Sequence, residues 1–351
     1  MSDIVIALVN RDHPVDEEMW RSFWDRLHDG KLRRGEATAL LSSLSTRMPD
    51  RITLRALLTS LDERRTPPAT RHDSTVNIVG TGGGPKTFNI STAAALVAAA
   101  MGVRVIKTGS HAYSSRHGSF DLLERLRIPL ARSYGQVDDM LERFGIAFAG
   151  YFVYPAELAL LAKSILPFDL RALGRFFNSV GPFLAAVPVS AQVTGVSDRA
   201  LLPTLWRLAT RDYSKKIWLC TNSPGADELI SITENVIYPN RGMDPIRLSP
   251  GALRLGAGTM TNLAPVAEDS ALVNHFLALL SGDGSPVAVQ TICLNAAALA
   301  VVGGMTDNWM TALRLAGETI KHGLAAHLVE RLRTEGTRSL DGLLREVSAN
   351  G

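Results

Sequence analysis

Apolar positions in the first part of the chain recur at helical spacing. Trp20, Phe23, Trp24 and Leu27 fall three and four residues apart, and Leu40, Leu41 and Leu44, then Leu54, Leu57, Leu58 and Leu61, continue the pattern. This spacing predicts amphipathic helices between Val15 and Arg65, with the Trp and Leu stripes forming core or a subunit interface rather than a ligand box. Ahead of them, Ile4 to Val9 is a short apolar run that reads as an edge strand or a loose extension. Thr66-Pro67-Pro68-Ala69-Thr70 breaks the helical pattern and marks a boundary.

Beyond that boundary the rhythm changes. Val76–Val79, Val103–Ile106, Ile146–Phe148, Ala191–Val196 and Ile217–Cys220 are short apolar runs suited to buried strands. Helical patterns separate them, notably an Ala-rich run after Thr92, Val137–Phe144 and Leu158–Ile165. Strands alternating with helices predict an α/β domain with a mixed or parallel sheet flanked by helices. The expected organisation is therefore a small N-terminal helical domain over residues 1–70, with residues from about 155 to 180 as a candidate addition, and a large α/β domain over 71–351. Near the C-terminus, Cys293–Ala298 reads as packing and Trp309 to Leu332 as one long helix.

The stretch from Val76 to Leu130 carries the chemistry. Its first strand runs into Gly80-Thr81-Gly82-Gly83-Gly84-Pro85, and Asn89-Ile90-Ser91-Thr92 follows as a helix start that Ser91 or Thr92 can cap. Its second strand ends on Lys107 and a turn with Gly109. Such a β-α-β unit sets backbone N–H groups and a helix N-terminus at one sheet edge, where anions bind. Taken singly, each feature has a plain structural reading: glycines make tight turns, Ser91 caps a helix, Lys107 is a surface lysine, and Asp227-Glu228 is a solvated turn.

Composition narrows the picture. The chain has 351 residues, enough for about two domains, and 46% are apolar. The 37 basic and 34 acidic residues leave a net charge of +3, which gives no reason to expect nucleic acid as a partner. Cys220 and Cys293 lack metal-ligand spacing and read as free buried thiols. The most apolar window, Ala93 to Met101, is far shorter than the ~20 residues of a membrane span, and no stretch reads as a signal peptide. The expectation is a cytoplasmic protein with no membrane partner.

Together the motifs resemble the anthranilate phosphoribosyltransferase family. Its GTGGD, TFNIST, KHGNR and SS..GSADLLE are matched by GTGGG at 80–84, TFNIST at 87–92, KTGSH at 107–111, and Ser114-Ser115 with GSFDLLE at 118–124. Tyr154-Pro155-Ala156 stands at its HPA, FNSVGP at 177–182 at its FN.LGP, Gly225-Ala226-Asp227-Glu228 at its G.DE turn, and Leu294–Ala298 at its LNAAA. The resemblance implies a fold of the nucleoside phosphorylase and phosphoribosyltransferase type, phosphoribosyl pyrophosphate (PRPP) as donor, Mg²⁺, and a homodimer formed through the small helical domain. It implies that Gly80, Thr81, Gly82 and Gly83 let backbone approach phosphate, that Asn89, Thr92 and Ser119 contact the donor, and that Lys107 meets pyrophosphate. It further implies that Ser91 ligates one Mg²⁺ and that Asp227 and Glu228 hold a second.

Departures from the pattern concentrate on the acceptor side. Gly84 replaces the acid of the glycine loop, and Thr108, Ser110 and His111 replace His, Asn and Arg of KHGNR. Phe120 replaces the Ala of GSAD and is a candidate aromatic wall; His111 is a candidate general base. The family reads the carboxylate of anthranilate with an arginine. Counting from either flanking motif puts that position at Lys163-Ser164 or at Phe168-Asp169, with Arg171 and Arg175 out of register. The expected acceptor is a small aromatic molecule other than anthranilate. Two other readings stand beside this one: a pyrimidine nucleoside phosphorylase, and a non-catalytic relative that binds nucleic acid or a partner protein.

Overall fold

A computed structural model describes residues 3–65, 68, 72–111, 118–169, 173–211, 213–242 and 244–349, with side chains described through 336. Ser114, Ser115 and Arg171 lie outside the described residues. The chain divides into two compact units, Met1–Ala69 with Phe152–Ala186, and Thr70–Tyr151 with Val187–Gly351.

The first unit is helical. Helices Glu17–His28, Glu36–Thr46 and Arg51–Asp62 bury the stripes read from the sequence. Trp20 and Trp24 stack with ring centroids 5.6 Å apart, and their indole N–H groups donate to Thr53 O and Ser60 Oγ, so neither buried indole is left unsatisfied. These aromatics are core. Ile4 to Val9 is not a strand: Asp3–Asn10 is a helix that buries Ile4, Val5, Ala7 and Leu8. The run is apolar on nearly every residue, so periodicity alone could not separate strand from helix. Ala156–Ser164 and Arg175–Leu184 are further helices of this unit.

The second unit is built on a seven-stranded mixed sheet. In chain order its strands are β1 (His72–Gly80), β2 (Arg104–Lys107), β3 (Ile146–Phe148), β4 (Val189–Gly195), β5 (Lys216–Asn222), β6 (Asn235–Pro239) and β7 (Ile246–Leu248), and they lie in the order β3-β2-β1-β4-β5-β6-β7. The first five are mutually parallel, and β6 and β7 add antiparallel pairs. From β1 the chain crosses to β2 on one side; from β4 it crosses to β5 on the other. The carboxyl ends of β1 and β4 therefore form a topological switch point, where connecting loops part and leave a crevice.

Helix Ile90–Ala100 follows β1 and is buried over Ile90 and Ala93–Ala99. Its alanines present a smooth surface to Pro286–Val302, a helix that is apolar nearly all round and buried as such a helix must be. Among the described residues, no single helix is long and apolar enough to cross a membrane. Cys220 and Cys293 are free and buried, and burial pushes both thiols up, Cys293 to about 12. The C-terminal pattern is two helices rather than one, Trp309–Lys321 and Leu324–Ala349, parted at Gly323, whose φ of 70° is left-handed. Apolar residues continue in helical register across the break and hide it.

Candidate active site

The crevice between β1 and β4 is packed by a segment from far along the chain. Gly80 and Gly195 are register partners at the ends of these strands, and Thr81 N–H donates to Gly195 O at 2.9 Å. Asp227 presses into the gap. A Cβ at Gly195 would collide with the Asp227 backbone, and one at Gly80 with the Asp227 carboxylate. These two glycines make room for an acid. Gly82 and Gly83 then turn with φ of 67° and 82°, a region costly for other residues, and Gly82 N–H donates to Asp227 Oδ2 at 2.8 Å. The Thr81 and Gly82 amides are thus engaged inside the protein.

At the start of helix Ile90–Ala100, Asn89 is the N-cap and its side chain caps nothing. Ser91 and Thr92 sit inside the first turn instead of capping it. Ser91 is half-buried; Thr92 is fully buried, with Oγ1 lacking a hydrogen-bond partner. Ile90 N–H donates back to Phe88 O, which tightens the entry to the helix.

Lys107 ends β2 and is 3% exposed. Its Nζ donates to Ile78 O at 3.3 Å and Thr108 O at 3.0 Å. Burial lowers its pKa to about 8, and the nearby charges of Glu228 and Asp227 oppose that shift. Burial raises both carboxyls, Glu228 well above the ordinary range, with Asp227 beside it adding to the rise. Thr87 Oγ1 reaches Glu228 Oε1 at 3.4 Å, while Glu228 Oε2 is shut off from solvent with no partner. One lysine cannot balance both carboxyls in their charged forms, and with no further cation beside them burial and Asp227 hold Glu228 toward its neutral form. That donor set fits a hard divalent cation.

Two polar anchors hold the acidic turn. Asn222 Nδ2 donates to Ala226 O and Glu228 O, and Asn295 exchanges hydrogen bonds with Leu229 N–H and O. Asn295 lies in the stretch read as packing; it is a buried polar residue that fixes the backbone next to Glu228. An asparagine inside an apolar helix was the available signal, since a buried amide needs partners. A Cβ added at Gly84 would collide with Gly225 O and lie 3.2 Å from Ser197 Cβ, so a side chain has no space there.

The acceptor-side residues also lie at the carboxyl edge of the sheet. Asn77 accepts from Thr108 N–H at 3.1 Å and donates to Thr108 Oγ1, so Thr108 is held inside the sheet end. Ser119 Oγ accepts from Ser110 N–H. His111 Nδ1 lies 2.8 Å from Asp121 Oδ1, and Phe120 is buried edge-on to both His111 and Tyr151. Lys163, Phe168 and Arg175 belong to the helical unit, where Phe168 is exposed.

Residues 72–326 match the glycosyl transferase family, a/b domain. The anthranilate phosphoribosyltransferase of Cenarchaeum symbiosum is 32% identical over 322 residues, covering 91% of this chain and 92% of that protein. The crystal structure of the anthranilate phosphoribosyltransferase of Thermus thermophilus superposes with a TM-score of 0.75 at 27% identity, over 95% of this chain and 99% of that one. The Saccharomyces cerevisiae enzyme in complex with PRPP and Mg has the same fold, with a TM-score of 0.75 at 22% identity over 92% of each chain.

Proposed function

This chain belongs to the glycosyl transferase family that includes the anthranilate phosphoribosyltransferases, and on that premise we propose that it transfers phosphoribose from PRPP, with Mg²⁺, to a small aromatic acceptor other than anthranilate. The observation that carries the donor half is the cluster of Lys107, Asp227 and Glu228 beside the glycine loop, with Glu228 Oε2 unpartnered.

Phosphoribosyl transfer asks a protein mainly to hold charge and geometry. The leaving pyrophosphate is strongly anionic. Lys107, protonated below about pH 8, supplies a positive charge at the sheet edge. Asn89, Ser91 and Thr92 offer a side-chain amide and hydroxyls around a helix N-terminus, and Ser119 adds another hydroxyl. Ser91 would hold one Mg²⁺, and Asp227 and Glu228 a second. When bound, the ions supply neutralisation of pyrophosphate charge. Gly80 and Gly195 serve this arrangement by admitting Asp227 to the switch point.

The acceptor half rests on replacements. A bidentate arginine is the strong partner for a carboxylate, and Lys163-Ser164 or Phe168-Asp169 is not its equivalent. The test is to mix protein, PRPP and Mg²⁺ with anthranilate and with a panel of aromatic amines, phenols and neutral heterocycles, and to follow pyrophosphate release. Release with a member of the panel and little with anthranilate is expected. Rapid turnover of anthranilate alone overturns the acceptor assignment. The proposal extends to a homodimer, which sedimentation would show as twice the chain's 37.9 kDa.

A further inference from the structure

A second set of side chains gathers after β2 and β3, on the same carboxyl edge as the glycine loop. His111 lies in the loop beyond Lys107. Asp121 and Glu124 come from helix Ser119–Arg125, and Tyr151 follows β3. The two acids face different ring nitrogens: Asp121 Oδ1 is 2.8 Å from His111 Nδ1, and Glu124 Oε1 is 3.8 Å from Nε2. A histidine that ligates a metal offers one nitrogen, and its carboxylate co-ligands gather on that side. Acids at opposite nitrogens suit a ring that takes up and releases a proton. In the tautomer whose Nδ1–H donates to Asp121, Nε2 carries the free lone pair.

Tyr151 and Phe120 pack around the ring. The backbone N–H of His111 donates to Tyr151 Oη at 3.2 Å. The Tyr151 ring lies 5.9 Å from the imidazole, tilted by 33°, and is 53% exposed. Phe120 backs both rings edge-on at 5.8 and 5.2 Å. Asp121 Oδ2 accepts from Gly118 N–H at 2.6 Å, so the acid that orients the imidazole is itself tied to the start of its helix. Among the described residues, the titratable groups facing His111 are Asp121, Glu124 and Tyr151; Arg125, on the same helix, pairs with Asp269.

We propose that His111 and Asp121 form a proton-accepting pair for the acceptor, and that the acceptor is an uncharged aromatic amine or N–H heterocycle stacked on Tyr151. This rests on the phosphoribosyl-transfer reading above. The acceptor nitrogen forms a bond to C1 of the ribose. The C1–O bond to pyrophosphate breaks, and its electron pair leaves on pyrophosphate. The proton lost by the acceptor nitrogen goes to His111 Nε2 and from there to water. Asp121 and Glu124 stabilise the imidazolium between these steps. The same two carboxylates repel an anionic acceptor, which is why an uncharged one is assigned. Asp121 is a positioning residue: it selects the tautomer that leaves Nε2 open.

The test has two readouts on the whole protein. In histidine-labelled protein, ¹⁵N NMR of neutral His111 is expected to show the proton on Nδ1, and Asp121→Asn to move the population toward Nε2–H. Finding the proton on Nε2 in the unsubstituted protein overturns the pair, whether or not an acceptor is known. With an acceptor that releases pyrophosphate, His111→Gln is expected to lower kcat/KM by roughly 100-fold or more and to abolish the acid limb of its pH profile. PRPP affinity by calorimetry should stay unchanged, and added imidazole should restore part of the activity of His111→Ala. A His111→Gln protein with the original rate and pH profile overturns the proposal. Absence of PRPP binding in the unsubstituted protein counts against the phosphoribosyl-transfer reading instead, and the tautomer result still decides the pair.

Discussion

At the scale of single residues, the metal role proposed for Glu228 and the protein's stability pull apart. Burial and the neighbouring Asp227 raise the Glu228 carboxyl well above the usual range, so the folded state holds a proton that the unfolded chain has already released. Stability therefore falls as pH rises from the ordinary glutamate range toward that raised value. Glu228→Gln removes this penalty. Without divalent cation at pH 8 its thermal midpoint is expected to rise, by roughly 2–4 °C per kcal/mol relieved, while Mg²⁺-dependent donor binding falls; calorimetry reads both. Lys107 has the opposite charge and its own window. Its pKa is depressed to about 8 in the folded protein. PRPP affinity is expected to weaken as pH rises through that value, and this pH dependence should vanish in Lys107→Met. At pH 7 that substitution should cost roughly 10- to 150-fold in affinity, the usual worth of a charged hydrogen bond. Arg104→Ala, at an exposed position, should change affinity less than twofold, within the small effect of an exposed charge. The order of motifs made these residues legible. Their environment was not, because Glu228 meets Thr87 from 141 positions away.

At the scale of elements, the strands and crossovers that carry the glycine loop could be read from short apolar runs bounded by turns. Periodicity is silent at other elements. Asp3–Asn10 is too uniformly apolar to declare itself a helix, and β6 and β7, which the apolar runs do not announce, lack the long runs of the central strands. The helix start also differed: Ser91 and Thr92 have the composition of caps, yet the boundary falls earlier, at Asn89. The close contact at Gly195 was equally hidden, since nothing local to β4 announces that Asp227 will press against it. Gly195→Ala drives a methyl into the Asp227 backbone. It is expected to destabilise the protein by about 1–3 kcal/mol, as overpacking does, and to weaken donor binding as well. Denaturant unfolding checks the first expectation. An unchanged midpoint would mean that the β4 end and the acidic turn are not in contact.

At the scale of the whole molecule, the alternation of strand and helix implied an α/β sheet, and the helical N-terminal segment declared itself by its Trp and Leu stripes. The order of strands did not follow from the alternation, because apolar runs do not say which neighbours pair. That order puts β1 beside β4, and so brings the glycine loop and the acidic turn to one switch point. The central claim is that this switch point is a Mg²⁺-dependent site for PRPP. Calorimetric titration of PRPP into the protein, with Mg²⁺ and again with EDTA, tests it most directly. Saturable binding is expected with Mg²⁺ and at least tenfold weaker binding with EDTA. Folded protein that binds no PRPP in the presence of Mg²⁺, or binds it equally well in EDTA, would contradict the account.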